Sequence, residues 1–347
     1  MQMMRRIQCH LKKADLMSFD VKLERVVLEV IGGCNYTCQM CPQTNPGRGK
    51  DWTRKMPLKQ FKSILDQIVP KYGTPQINLE GSGEPTLAKD LHKYVREVKK
   101  RGLKCYMYTN GFNLRGDYMK RIVDEGIDFI RCSVIGYDQS TYMKWMDCDN
   151  FYRVRANLMD VMDYSFVTKA PVEVSSYHLI TDNNKIKYEV SEYNGNFIRH
   201  IGCKAYIWKM HNWSGNYDPN GNARIGEVRK TCGRPFGPEI TIRAGGDGKT
   251  GAMTPCCQTL GPPNEAKSVL GHFEDQTFEE IFWGDKYNEL RKAHEEERFD
   301  DIEYCKNCDF LYDDPEVLVW SNDPNARTKH MLGTNFSLED NIIASFT

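Results

Sequence analysis

Between residues 26 and 208, strand-like apolar runs alternate with stretches whose apolar residues recur at helical spacing, and no other feature restricts the fold as much. The strand-like runs are 26–31, 76–80, 104–108, 128–135, 172–180 and 198–208. Between them Phe61, Ile64, Leu65 and Ile68 form one apolar helical face, as do Leu91, Tyr94, Val95 and Val98, then Met119, Ile122 and Val123, then Val154, Leu158, Val161 and Met162. Gly73, Gly102 and Gly126 follow three of these helices as stop signals. Such units imply an α/β fold with parallel strands and chemistry at their carboxyl ends. About six units fall short of a closed eightfold barrel.

The first run breaks at Gly32-Gly33 and leads into Cys34-Asn35-Tyr36-Thr37-Cys38-Gln39-Met40-Cys41. In a short irregular loop three thiolates can converge, each on one corner of a cubic iron–sulfur cluster, leaving the fourth iron open to bind a small molecule. A zinc knuckle is the alternative, although zinc sites usually carry four N/S ligands with histidine nearby. Cys232, Cys256 and the Cys305–Cys308 pair supply four further ligands, enough for a fully ligated [4Fe–4S] cluster or a structural zinc, with Cys257 able to replace Cys256.

Thirteen cysteines in 347 residues without a secretion signal point to metal ligation rather than disulfides. Lys+Arg and Asp+Glu balance at 47 each, which gives no reason to expect nucleic acid or an anionic membrane as partner. No apolar run approaches the ~20 residues of a membrane span. The basic residues 1–13 lack the apolar core of a signal peptide, so a cytoplasmic location is expected.

The C-x3-C-x2-C spacing of Cys34, Cys38 and Cys41 resembles the signature of the radical S-adenosylmethionine (SAM) superfamily. The resemblance implies a partial, open (β/α)6 barrel, here residues 26–211. It also implies a [4Fe–4S] cluster whose open iron chelates the amino and carboxylate groups of SAM, and cleavage of SAM to a 5′-deoxyadenosyl radical that removes hydrogen from a substrate. Met40 stands where the family usually has an aromatic residue and is expected beside the adenine. Gly81-Ser82-Gly83-Glu84 resembles the family's Gly-Gly-Glu motif, which holds the SAM amino group. Thr109, Asn110 and Ser133 are implied by position to line the SAM site, followed by Ser175, Ser176 and Tyr177 on the fifth strand.

Residues 212–310 resemble the small C-terminal iron–sulfur extension called SPASM or, in its short form, Twitch. Gly251-x4-Cys256 and Val269-Leu270-Gly271 carry this likeness, before a capping box at Thr277 and Glu280. No cysteine follows Cys308, so one auxiliary [4Fe–4S] cluster on Cys232, Cys256, Cys305 and Cys308 is implied, near the barrel mouth. Cys256 is preferred to Cys257 because it holds the family position after Pro255. Residues 1–25 and 311–347 are left as an N-terminal extension and a C-terminal tail.

The nearest resemblance is to the Twitch-bearing radical dehydrogenase of aminoglycoside biosynthesis. It is carried by residues 34–42, Gly83-Glu84-Pro85, Tyr108-Thr109-Asn110-Gly111 and Cys305-Lys306-Asn307-Cys308. It implies oxidation of a small polar, carbohydrate-like substrate, an electron passed to the auxiliary cluster, and an external reductant such as flavodoxin or ferredoxin.

Redox-neutral epimerisation or peptide modification is the alternative, with Cys203 or Cys132 as hydrogen donor if either points inward. Only 25 residues precede the first strand, too few for a peptide-binding domain. A non-catalytic electron-transfer protein would not leave a cluster iron open. Arg131, Tyr177, Lys204 and Trp208 would meet a polar ligand if turned inward. His178, His200 and His211 read as structural or solvent-facing, and no catalytic acid or base stands out.

Overall fold

The computed structural model describes residues 22–44, 50–215, 217, 228–261, 264–312, 318–328 and 336–337. Most of the expected N-terminal extension and of the C-terminal tail lies outside them. The strands are β1 (Arg25–Leu28), β2 (Gln76–Leu79), β3 (Cys105–Thr109), β4 (Phe129–Ser133), β5 (Glu173–Leu179) and β6 (Lys204–Trp208), each paired in parallel with the next. They form the partial barrel wall.

The helices α1 (Leu58–Tyr72), α2 (Leu91–Lys100), α3 (Gly116–Asp124) and α5 (Phe151–Thr168) bury the faces read from sequence against one side of this wall. Each fully buried Leu, Ile or Phe contributes roughly 1.5–3 kcal/mol. Alternation sends Val26, Leu28, Ile77, Leu79, Met107 and Ile130 into that helix-side core. The intervening residues therefore face the concave lumen.

Within the barrel, the helices α4 (Gln139–Met146) and α6 (Ile186–Tyr193) were not read from the sequence. Residues 198–203 also depart from the expected strand. Val190, Tyr193, Phe197 and Ile201 are buried at helical spacing, and the chain turns at Gly202 (φ 74°) before β6 begins.

The C-terminal extension does not stand apart. Strand β7 (Glu239–Gly246) pairs in parallel with β1, from Arg25↔Glu239 to Leu28↔Ile242, and β8 (Lys249–Thr254) and β9 (Gly271–His272) continue the same sheet antiparallel. At the other edge β10 (Leu318–Ser321), from the expected tail, pairs antiparallel with β6. Both outer edges of the wall are thus covered, which removes unpaired backbone groups from β1 and β6. Beyond β9 the capping box at Thr277 and Glu280 opens α7 (Phe278–Phe282), and α8 (Asp285–Glu295) follows. Among the described residues no helix is long and apolar enough to cross a membrane.

Candidate active site

The loop after β1 lies at the carboxyl end of the sheet and is anchored by α4. The Gln39 amide donates to the Trp145 carbonyl (2.9 Å), and Thr37 Oγ1 donates to Asp147 (2.6 Å). Within the loop the Cys41 amide reaches the Cys38 carbonyl (3.0 Å), which closes a turn between two of the three cysteines. Burial, then the charges of Cys41 and Cys34, hold the Cys38 thiol well above its ordinary pKa. Three sulfurs close enough to oppose one another's ionisation form a donor set that a multiply charged cation cluster would relieve.

Below this loop, a Cβ on Gly83 would stand 2.0 Å from the Ile31 carbonyl oxygen, and one on Gly81 would stand 2.1 Å from Glu29 Oε2. Only glycine lets the two loops touch here. The buried Glu84 carboxylate accepts from Thr86 N (3.0 Å), Thr86 Oγ1 (2.6 Å), Thr109 Oγ1 (2.6 Å) and Asn110 N (2.6 Å). Burial pushes its pKa up, and these bonds oppose the shift. Asn110 Nδ2 in turn donates to Asn35 Oδ1 (2.9 Å) and lies 4.0 Å from Cys34 Sγ. Glu84 therefore locks the end of β3 to the cysteine loop.

Ser82 gives both its amide and its hydroxyl (2.7 Å) to Glu29 Oε2. Glu29 also accepts from Ala244 N (3.1 Å) and faces Arg243 Nη1 (3.5 Å), with the two side chains 1% and 0% exposed. Ser82 and Glu84, part of the motif expected at the SAM site, make these contacts with their side chains. Both are engaged within the protein because the loop is buried between β1, β3 and β7.

The second set belongs to the extension, and its Cys305–Cys308 segment packs on the residues that follow β6, where the Asn212 amide donates to Asp309 (2.8 Å) and Asn212 Nδ2 donates to the Asn307 carbonyl (2.7 Å). The hairpin runs back down the sheet, with Thr254 opposite Thr241, before it reaches Cys256. Burial, then the charges of Cys308, Cys232 and Cys256, push the Cys305 thiol far up, and Cys308 N closes a turn onto Cys305 O (2.8 Å). Phe299, Phe310 and Leu311 pack around Cys232 and Cys308.

Cys257 points elsewhere. Its sulfur accepts from Arg234 Nη1 (3.2 Å), and burial raises its pKa to about 11 despite Arg234, with Glu239, Cys256 and Glu80 adding to the rise. Cys256, unlike Cys257, is among the charges that act on Cys305 and Cys308. Among the described residues no three Cys, His, Asp or Glu side chains converge as a single metal ion requires. A cubane carries its thiolates on separate corner irons.

The sequence profile of the radical SAM superfamily matches residues 28–167, and that of SPASM, an iron–sulfur cluster-binding domain, matches residues 241–309. The chain carries a radical SAM domain followed by a SPASM domain. As a radical SAM protein with a SPASM domain it uses SAM, a SAM-binding [4Fe–4S] cluster and an auxiliary one, and both cysteine sets fit those groups in number and mutual proximity.

A probable GTP 3′,8-cyclase of Saccharolobus solfataricus is 29% identical over 150 residues, covering 43% of this chain and 47% of the relative. A tungsten-containing aldehyde ferredoxin oxidoreductase cofactor-modifying protein of Pyrococcus furiosus is 31% identical over 112 residues, 32% of this chain and 31% of that one. The radical SAM chain matches less than half the length of either relative.

Among solved structures, BtrN in complex with AdoMet and 2-DOIA aligns with a TM-score of 0.54 at 18% identity, covering 84% of this chain and 94% of that one. SuiB of Streptococcus suis bound to precursor peptide SuiA aligns with 0.60 at 12%, covering 80% and 68%. At these identities the likeness is one of fold.

Within the radical SAM barrel the remaining expected residues separate by strand alternation. Ser133 and Tyr177 lie on the lumen side, whereas Met40 is 4% exposed and packs into the hydrophobic core. Cys132 and Cys203 are corrected as lumen thiols. A Cβ on Gly111 would stand 2.7 Å from Cys132 Sγ, and both cysteines are buried in the helix-side core, because Arg131, Ser133 and Lys204 take the inward positions beside them. Ser176 likewise faces the helices, beside Tyr193 and Cys203.

Of the other inward candidates, Lys204 is paired with Glu173 (2.9 Å) and Asp323 (3.0 Å), and Trp208 is buried. His178 is buried beside Glu189 (3.4 Å), and His200 is exposed.

The lumen itself is polar. Arg25 pairs with Glu239, Gln76 donates to Asn78 (2.6 Å), and Asn78 donates to Glu80 (3.1 Å). Glu29, Arg243 and Arg234 were missed in the sequence. A charge inside the apolar run at 26–31 was the available signal for Glu29, since carboxylates are seldom fully buried without partners.

Proposed function

We propose that this chain is a radical SAM oxidoreductase acting on a small polar, carbohydrate-like substrate held in the lumen. In this reading Cys34, Cys38 and Cys41 hold the SAM-binding cluster, and Cys232, Cys256, Cys305 and Cys308 hold the auxiliary one. Met40, Gly81, Ser82, Gly83, Glu84, Thr109, Asn110 and Ser133 form or support the SAM site, Ser82 and Glu84 from behind. When bound, these groups supply reductive cleavage of SAM to a hydrogen-abstracting radical and an acceptor for the electron the substrate gives up.

The chain's own residues do the positioning. Glu84 and Asn110 fix the cysteine loop, the strand walls exclude water, and the lumen residues orient the substrate. The observation that supports this reading is that the extension joins the barrel wall through β7 beside β1, and that the segment after Cys256 and Cys257 reaches Pro42 next to Cys41, so that a hydrogen-abstracting centre and an electron acceptor would share one body with the polar lumen. An external reductant such as flavodoxin or ferredoxin would supply the first electron.

A redox-neutral reaction is the second reading. It needs a hydrogen donor at the substrate, and Cys257, whose sulfur accepts from Arg234 Nη1 (3.2 Å), is the thiol to test. The experiment is anaerobic reconstitution, iron and sulfide analysis, and chromatography of 5′-deoxyadenosine formed by the reduced protein. About eight irons per chain, falling to about four in the Cys34/Cys38/Cys41→Ala variant with loss of 5′-deoxyadenosine, supports the assignment. A wild type holding only about four irons, none of them left in the variant, removes the electron acceptor and with it the oxidoreductase.

A further inference from the structure

Arg131 and Ser175 occupy paired positions on neighbouring strands, β4 and β5, and both face the lumen. Ser175 is fully buried, and its Oγ has no hydrogen-bond partner among the described residues. The same holds for the buried Nε of Arg131. The guanidinium rests instead against aromatic faces, 4.8 Å from the Tyr206 centroid, 5.2 Å from Tyr108 and 5.5 Å from Phe129. Aromatic faces partly offset the desolvation of a cation but leave its N–H donors open, whereas buried polar groups in proteins are normally satisfied.

The other lumen charges do not supply the missing partner. Glu239 is taken by Arg25, Glu173 and Asp323 by Lys204, and Glu80 accepts from Asn78 with no ion pair to Arg131 among the described residues.

We propose that Arg131 and Ser175 form an oxyanion subsite that receives a carboxylate or phosphate group of the substrate. This deepens the oxidoreductase reading and rests on it, since it makes the carbohydrate-like substrate an acidic one. Arginine binds such groups through paired N–H donors, and a serine hydroxyl on the adjacent strand adds a third. Glu80, whose pKa burial raises against the pull of Arg25, lies on the same wall and accepts from a hydroxyl or ammonium of the same molecule.

The test is phenylglyoxal modification of the reconstituted holoenzyme, with Arg131 followed by peptide mass spectrometry in the presence of inorganic phosphate, acetate or SAM. An anion at about ten times its dissociation constant leaves about one site in ten open, so modification of Arg131 slows about tenfold. Protection by phosphate supports a phosphorylated substrate, and protection by acetate alone supports a carboxylate. Protection by SAM to the same extent assigns the guanidinium to the carboxylate of SAM and overturns the proposal, as does protection by none of the three.

Ser175→Ala, a change small enough to keep the fold, should weaken the protection several-fold, and unchanged protection overturns its part. SAM cleavage measured on the same preparation reports separately on the radical chemistry. Protection without cleavage keeps the subsite and sinks the reading it rests on.

Discussion

Replacing Glu29 by Leu tests whether the buried pair with Arg243 joins the extension to the barrel. The substitution leaves a guanidinium that is 0% exposed with, among the described residues, one remaining hydrogen bond, Arg243 Nη2 to the Cys257 carbonyl (3.2 Å). It also strips the acceptor from Ser82 N, Ser82 Oγ and Ala244 N. Breaking a buried pair from one side costs about 3–5 kcal/mol, which corresponds to a factor of about 10² to 10³·⁵ in the folding equilibrium.

The companion variant Glu29→Leu/Arg243→Met removes the stranded charge and replaces the pair with apolar volume. It should recover most of the loss, keeping a deficit of about 1–3 kcal/mol from the orphaned donors. Urea unfolding of wild type, single and double variants, followed by far-UV circular dichroism, measures the difference. A single variant within about 1 kcal/mol of wild type, or a double variant no better than the single, would refute the reasoning.

Gly83→Ala drives a methyl group into the Ile31 carbonyl and should cost the SAM-binding cluster alone, seen as iron falling from about eight to about four per chain. Cys256→Ala should lower iron by the same amount while Cys257→Ala keeps it, and the reverse result reassigns the ligand. Burial lowers the pKa of His294 to about 4, against about 6.5 unfolded. The unfolded chain thus takes up a proton that the folded one refuses. This contribution to stability is intact above about pH 6.5, drains away as pH falls and levels off below about 4. His294→Leu should flatten that part of a melting-temperature profile, and an unchanged profile assigns the acid sensitivity to other groups.

The cysteine loop was legible because its ligands sit within eight residues and its chemistry is written in their spacing. The helix faces were legible because the 3.6-residue period survives in a short window. What escaped was set by long-range pairing. Glu29 meets Ser82 and Ala244, 53 and 215 positions away, and nothing near any of the three announces it. The donors that hold Glu84 escaped because position in the motif says nothing of how many local donors will claim the carboxylate. Cys132 and Cys203 were open candidates until register decided which neighbours face inward, and a one-residue change of register exchanges the two faces. The tail seemed patternless because β10 is only four residues long.

The pairing of β1 with β7 also bears on synthesis. When β1 leaves the ribosome its outer edge has no partner, and the strand that covers it begins about 210 residues later. At ~5–20 residues per second that wait lasts about 10–40 s. During it the nascent barrel exposes an edge of Arg25, Val26, Val27 and Leu28, a short apolar template for association with other chains. Truncation before residue 239 would make the exposure permanent, so C-terminal deletions should aggregate rather than yield a soluble barrel.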